Sequence, residues 1–151
     1  MITIKKTVMQ VLLAMVMLIG ITSMASAQDA IEGVWFNDKK DAKIQIYKGN
    51  DGKFYGKIIW IKEPTNADGS TKTDTKNSKD ALKSRPIVGL VILKGAEKDG
   101  TNSYDDGTIY DPENGKTYDC TIKNKGNNTL ALRGYIGISL FGRTTEWSRT
   151  N

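Results

Sequence analysis

Apolar and polar residues alternate along much of the chain after residue 32, and this period of two is typical of β-strands with one buried face. The clearest example is a hairpin over residues 106–120. Pro112 fixes the second position of a turn, and Asn114-Gly115 provides the left-handed residues that reverse the chain. Apolar residues then alternate with polar ones over residues 118–123, which predicts a strand after the turn.

The same pattern predicts further strands on both sides of this hairpin. Gly89 interrupts the apolar run of residues 87–93, which indicates a strand that is bent or closely approached there. The polar segment Glu63–Ser78 reads as a loop, residues 94–102 as a polar connection, and residues 81–83 as one helical turn that must end before Pro86. The predicted strands outside the hairpin cover residues 33–35, 43–47, 54–62, 87–93, 129–135 and 141–149.

About eight strands joined mainly by tight polar turns, with one short helical turn, define an all-β chain. We predict a single antiparallel meander closed into a barrel, with a β-sandwich as the alternative. Simple alternation places Trp60 on the same face of its strand as Phe54, Gly56 and Ile58. If Leu130 and Leu132 face the interior, the same rule turns Arg133 and Tyr135 outward.

The first 27 residues have the composition of a signal peptide. Lys5 and Lys6 precede an apolar stretch over residues 8–21, and Ala25-Ser26-Ala27 offers small residues for cleavage. The stretch is shorter than the roughly 20 residues of a membrane-spanning helix. We therefore expect a signal peptide over residues 1–27, a single domain over 28–151, no transmembrane segment in the mature chain, and a periplasmic or secreted location.

Net charge and cysteine content indicate which partners and which disulfides are possible. Without Lys5 and Lys6, 20 of the 22 basic residues remain against 17 acidic ones, a balance of only +3. We expect no nucleic-acid partner. Cys120 is the single cysteine, so no internal disulfide can form, and we expect it to be a buried, reduced thiol.

Motifs for catalysis are lacking. The chain contains no histidine, which removes the usual general base and the commonest transition-metal ligand. Residues 137–141 miss the Gly-x-Ser-x-Gly pattern because Phe141 replaces the last glycine, and Ser139 is expected to be a turn residue. The acidic turn around Asp68 and Gly69 lacks the carboxylates that a calcium loop needs at its first and twelfth positions. We expect no enzyme activity, no cofactor and no metal site.

Four strings together resemble the DUF2147 family of small secreted bacterial proteins. They are Gly33-Val34-Trp35, the run 82–90 that contains Ser84-Arg85-Pro86, the hairpin 107–118, and the segments 133–137 and 142–149 near the C-terminus. The resemblance covers nearly all of the mature chain, and it implies a lipocalin-like (calycin) barrel. It also implies that Gly33 and Trp35 close the barrel, with the indole against a guanidinium of Arg149 or Arg143.

The remaining aromatic residues are the candidates for a ligand site. We predict that Trp60, Tyr110, Tyr118 and Trp147 line it, since aromatic side chains give an apolar wall with a polar edge. Glycines on predicted strands, among them Gly56, Gly89, Gly107 and Gly134, allow the strands to curve and can also leave space between them.

Two functions follow from these features. The first is the binding of a small apolar or amphipathic molecule inside the barrel. The second is a cell-envelope module with a filled barrel whose loops bind protein or glycan. The long loop 63–85 serves either function, as a lid or as a docking surface. An empty interior favours the first function and a packed interior the second.

Overall fold

The structure is a computed structural model that describes residues 29–150. The predicted signal peptide and its cleavage site lie outside the described residues. Eight strands form one antiparallel sheet in which each strand pairs with the next and β8 returns to β1, so the sheet closes into a barrel. They are β1 Gly33–Phe36, β2 Ala42–Lys48, β3 Phe54–Ile61, β4 Val91–Lys98, β5 Ser103–Asp111, β6 Lys116–Gly126, β7 Thr129–Tyr135 and β8 Arg143–Arg149. The predicted barrel is confirmed, and the sandwich alternative is wrong.

An up-and-down barrel places alternate connections at opposite ends. The connections after β1, β3, β5 and β7 lie at one end, which we call the mouth. The other end, the floor, carries the three short turns 49–53, 99–102 and 127–128 together with the N-terminal segment 29–32. Short 3-10 turns at Asp80–Leu82 and Ser139–Phe141 both belong to mouth connections. The first of these agrees with the predicted helical turn.

The floor is closed by an indole and a guanidinium. Trp35 is almost fully buried, and its Nε1 donates a hydrogen bond of 2.9 Å to the Ile31 carbonyl. The Arg149 guanidinium lies 4.1 Å from the centre of the Trp35 ring and donates to the carbonyls of Glu32 (2.9 Å) and Ala30 (2.7 Å). This arginine therefore joins the N-terminal segment to the last strand through two hydrogen bonds, and it covers the Trp35 ring in a cation–π contact.

Gly33 is required at this position for two reasons. Its φ of 135° lies in a region that other residues rarely adopt, and a Cβ there would overlap Nη1 of Arg149. Of the two arginines suggested by the family resemblance, Arg149 is the partner of Trp35. Arg143 lies at the opposite, mouth end of the same strand.

Two strand boundaries differ from the sequence prediction. The strand predicted over residues 87–93 begins only at Val91, and it continues to Lys98 through the segment that we predicted as a polar connection. Residues Ile87–Leu90 form a turn in which the Leu90 amide donates to the Ile87 carbonyl and Gly89 has a φ of 101°. The last strand begins at Arg143 and not at Phe141, because the 3-10 turn occupies Ser139–Phe141.

A β-bulge in β3 changes the direction of Trp60. Lys43 pairs with Trp60 and Ile44 pairs with Ile58, so Ile59 is an extra residue in β3. The bulge reverses the alternation, and Trp60 lies on the outer wall with 38% of its surface exposed. There its ring meets the edge of Phe36 at 6.2 Å, with the Lys43 ammonium 5.4 Å from its centre.

Candidate functional site

A cavity of about 1020 Å³ extends from the upper part of the barrel interior into the space between the β1–β2, β3–β4 and β5–β6 connections, and it opens at the mouth. Its deeper wall is apolar, because the inward positions of most strands in this layer carry aliphatic side chains or tryptophan. These residues are Ile44, Ile58, Ile92, Ile109, Leu132 and Trp147. The condition that Leu130 and Leu132 face inward is met, since both are buried, and Arg133 correspondingly lies outside. An apolar wall of this kind suits the hydrocarbon part of a ligand.

Polar groups enter the cavity nearer the mouth. On β8, alternate residues Trp147, Thr145 and Arg143 face the lumen, and they pair across the ladder with Leu130, Leu132 and Gly134 of β7. From the interior towards solvent, β8 therefore presents the indole of Trp147, the hydroxyl of Thr145 and the guanidinium of Arg143. Among the described residues, no hydrogen bond or ion pair engages the Arg143 side chain. The Arg143 side chain is exposed and lines the cavity, so its donors are accessible.

Gly134 leaves open the space beside Arg143. The two residues are direct partners in the ladder, and the glycine is also paired with Cys120 of β6. A Cβ built at Gly134 would lie 3.5 Å from the Tyr118 Cβ and 3.7 Å from the Ile109 Cγ2, which are ordinary contacts. A side chain at this position would therefore fill cavity volume without displacing the backbone.

Ionic groups surround the opening with nearly balanced charge. Lys39 pairs with Glu113 at 2.7 Å, and this contact joins the β1–β2 and β5–β6 connections. Lys72 pairs with Glu63 at 3.3 Å within the long loop. Both pairs are largely exposed, so each contributes well under about 1 kcal/mol to stability. They make the rim polar while the interior stays apolar.

The long loop after β3 is anchored across one side of the mouth by a buried carboxylate. Asp74 has no exposed surface, and it accepts hydrogen bonds from Arg85 (2.8 and 3.0 Å), Asn77 (2.9 Å) and the Tyr110 hydroxyl (2.6 Å). Burial raises the pKa of Asp74, but the bonds from Tyr110, Arg85 and Asn77 outweigh this effect, and the pKa lies below its usual value. The ionised form is therefore the one that holds the loop.

The loop also touches the β5–β6 turn. A Cβ at Gly115, where φ is 74°, would overlap the Lys76 carbonyl, so the two segments are in close backbone contact. With the isolated bridges Thr65–Thr71 and Thr73–Pro86, the loop has an ordered path of its own. It forms a fixed side of the mouth.

The predicted ligand residues fall into three groups. Tyr118 and Trp147 both contribute to the cavity wall. Tyr110 also reaches the cavity, but its hydroxyl is engaged by Asp74, and burial together with this bond raises its pKa. The placement of Trp60 is wrong, because the bulge at Ile59 turns it to the outer wall. Arg143, which the family resemblance offered with Arg149 as an alternative partner of Trp35, instead lines the cavity.

Sequence reasoning missed several contributors to the site. Thr145 and the isoleucines of the wall lie in segments whose alternation correctly predicted strands. The sequence alone did not show which face of each strand points into the lumen, because that depends on the strand register. Asp74, Asn77 and Arg85 lie in a segment without periodicity, and only their meeting with Tyr110 on β5 identifies their role.

Cys120 is a buried, free cysteine. Burial, with a smaller contribution from the charge of Asp105, raises the pKa of its thiol to about 12. The thiol is therefore protonated at neutral pH and unreactive as a nucleophile. Within residues 29–150, no three acidic, cysteine or histidine side chains are grouped as metal ligands. No helix in that range is long and apolar enough to cross a membrane.

A closed eight-stranded up-and-down barrel with a cavity open at one end defines the class of a lipocalin-like barrel. A solved structure described as "Protein HP1028 from the human pathogen Helicobacter pylori belongs to the lipocalin family" is similar to it, with a TM-score of 0.70 and 27% sequence identity. The match covers 82% of this chain and 85% of the other.

The family model DUF2147, described as "Uncharacterized protein conserved in bacteria", matches residues 33–149. The chain belongs to this family. The comparison with curated proteins gave no match.

Proposed function

We propose that this protein binds a small amphipathic molecule in the barrel, with the apolar part of the ligand in the interior and its polar end near the mouth. The observation that carries the proposal is the open cavity of about 1020 Å³ with its graded wall. Ligand sites are commonly concave, mainly apolar and supplied with a few polar groups that orient the ligand. The filled-barrel alternative requires a packed interior, and a cavity of this size argues against it.

The arrangement on β8 supports a particular orientation. Trp147 lies deepest of the three lumen-facing residues and is almost fully buried in the wall, whereas Arg143 lies nearest the mouth, is exposed and offers guanidinium donors. An anionic head, such as a carboxylate, would be placed at Arg143, with Tyr118 and Thr145 supplying hydroxyl groups nearby. Binding, and not catalysis, is the function that these groups support.

The test combines identification of the natural ligand with a blocked cavity. Native mass spectrometry of the protein purified from its own cells should reveal a co-purifying small molecule. The delipidated protein should then give saturable binding of dodecanoate by titration calorimetry.

Two variants of β7 make this test specific. Gly134→Val adds volume inside the cavity, and Ala131→Val adds volume on the outer face of the same strand. We expect at least about tenfold weaker binding for Gly134→Val and unchanged binding for Ala131→Val. Absence of a co-purifying mass together with absence of saturable dodecanoate binding would refute the proposal, as would equal binding by both variants.

We also propose that the protein is exported and that the mature chain begins at Gln28. The composition of residues 1–27 supports this proposal. The intact mass of the protein recovered from the periplasm or culture medium provides the test. A mass that includes residues 1–27 would contradict export by cleavage.

A further inference from the structure

The connection between β7 and β8 is an unusually apolar projection at the mouth. We call residues 136–142 the apolar tip. Four of its side chains are strongly exposed, at 71% for Ile136, 58% for Ile138, 75% for Leu140 and 81% for Phe141. The other exposed large apolar residues of the range 29–150, namely Ile59, Trp60 and Val88, reach only 37–41%. Exposed apolar surface concentrated in one place commonly marks an interaction site.

The apolar tip has a defined backbone. The Arg133 guanidinium donates from Nε to the Ser139 carbonyl at 2.6 Å and from Nη2 to the Leu140 carbonyl at 3.1 Å. Its Nη1 donates to the Thr144 hydroxyl at 2.8 Å. These bonds satisfy polar groups at the base of the tip while the aliphatic and aromatic side chains remain outside. The exposure is therefore a feature of the supported loop.

The charged residues that flank the apolar tip on its own two strands are both basic, while the neighbouring β6 places Asp119 opposite Tyr135. From Thr129 to Thr145, the only charged residues are Arg133 and Arg143. Arg133 braces the tip, and Arg143 follows it directly and lines the cavity. An apolar projection with cations at its base complements a lipid interface that contains anionic headgroups.

The size of the apolar tip favours a bilayer over a protein partner. Stable protein interfaces use roughly 20–30 residues from each side. A seven-residue projection is much smaller than this, and the rest of the mouth carries exposed ionic groups. In contrast, a narrow apolar projection can enter the boundary between headgroups and acyl chains without a complementary surface.

We propose that the apolar tip inserts into the interface of a lipid bilayer containing anionic lipids and holds the mouth of the barrel against it. The proposal goes beyond ligand binding and does not depend on it, because the tip is outside the cavity. If the protein both binds an amphipathic ligand and inserts the tip, the mouth of the barrel faces the bilayer, where amphipathic molecules partition.

The test is flotation of delipidated protein with vesicles of phosphatidylethanolamine and phosphatidylglycerol. We expect the unaltered protein to float with these vesicles and to bind less to vesicles of phosphatidylcholine alone. The double variant Leu140→Ser/Phe141→Ser should lose at least about tenfold in vesicle partitioning, because two large apolar side chains no longer enter the interface. Both positions are exposed, so the fold is retained, and circular dichroism verifies this.

Tyr47→Ser, on β2, is the control for removal of a large side chain away from the tip. It should partition like the unaltered protein. Failure of the unaltered protein to bind anionic vesicles would overturn the proposal, as would equal partitioning of the double variant. A dimer in solution that the double variant dissolves would identify a second copy of the chain as the occupant and would also overturn it.

Discussion

Arg143 is the residue with the most direct bearing on ligand chemistry. It faces the lumen near the mouth, and its ladder partner Gly134 contributes no side chain to obstruct it. A guanidinium in such a position distinguishes a charged head from a neutral one, since hydrogen bonds to charged groups contribute about 1.5–3 kcal/mol.

We therefore predict that Arg143→Gln weakens dodecanoate binding about tenfold or more while leaving dodecanol binding within about twofold. Titration calorimetry with both compounds provides the measurement. Lys123→Gln, at an exposed position on β6 that pairs with Ala131, removes a charge on the outer wall, is the control and should change neither affinity. An equal loss of affinity for the acid and the alcohol would show that Arg143 supports the cavity but does not interact with the charge of the ligand.

Gly33 is the residue on which the floor depends most. Any side chain there both adopts an unfavourable φ and meets the guanidinium that covers Trp35. Gly52 is a useful comparison, because its φ of 81° is also left-handed but nothing lies within 4 Å of a Cβ there.

We predict that Gly33→Ala lowers the free energy of unfolding by about 2–4 kcal/mol, whereas Gly52→Ala lowers it by only about 1 kcal/mol. Urea denaturation followed by circular dichroism measures both. The difference between the variants combines the collision with Arg149 and the higher backbone cost at Gly33, whose φ of 135° is further from the left-handed helical region than that of Gly52. Equal destabilisation of the two proteins would contradict both contributions.

At the scale of elements, the long loop 62–90 is secured by Asp74 and its neighbours. Removing the charge of a buried carboxylate leaves Arg85 without its counter-ion and weakens three hydrogen-bonding contacts. Because Arg85 is partly exposed, the loss is smaller than for a fully buried pair. We estimate about 2 kcal/mol for Asp74→Asn.

The pH dependence of stability follows from the same residue. The pKa of Asp74 is depressed in the folded state, so its contribution is present above the unfolded value of about 4 and is lost as pH falls through the folded pKa. Asp29 acts in the same direction. Burial raises its pKa, but the hydrogen bonds from Lys98 and Tyr104 lower it by more, so the pKa lies below its usual value.

We predict that the unaltered protein loses stability as the pH falls below about 4 and that Asp74→Asn shows a shallower loss over this range. Thermal unfolding at a series of pH values is the measurement. Asp68→Asn, in the exposed part of the same loop, is the control and should retain most of the acid sensitivity. A profile for Asp74→Asn as steep as that of the unaltered protein would exclude Asp74 as a source of that sensitivity.

How far the elements follow from sequence depends on whether local signals decide them. The β5–β6 hairpin was predictable because its turn residues and the alternation after them agree. The start of β4 was not, because Ile87–Leu90 is apolar like a strand but bends at a left-handed Gly89. Trp60 was misplaced because one extra residue, Ile59, reverses every later side chain, and a bulge has no clear mark in the sequence.

In the candidate site, too, residues marked by local sequence signals were predictable and residues placed by strand register or tertiary contacts were not. Tyr118 and Trp147 followed from aromatic residues on alternating strands, and both reach the cavity. The role of Arg143 could not be assigned, since only the register of β7 with β8 separates a lumen position near the mouth from one at the floor. The Asp74 cluster joins residues 36 positions apart in the chain, and a distance of that kind is set by tertiary structure.

The whole molecule combines a closed floor, a cavity with an apolar inner wall and a polar rim, and an apolar projection beside the entrance. Trp35 and Arg149 close the floor, and the cavity opens at the mouth. A ligand bound in the proposed orientation places its hydrocarbon end against Trp147. Trp60, on the outer wall, is remote from such a ligand.

The most direct test of the central claim is the quenching of tryptophan fluorescence by stearate that carries a nitroxide near its methyl end. We predict saturable quenching in the Trp60→Phe variant, which keeps Trp147 and the floor residue Trp35, and loss of most of that quenching in the Trp60→Phe/Trp147→Phe variant, in which only Trp35 remains. Absence of saturable quenching in the Trp60→Phe variant, or quenching that persists undiminished in the double variant, would contradict the proposed binding inside the barrel.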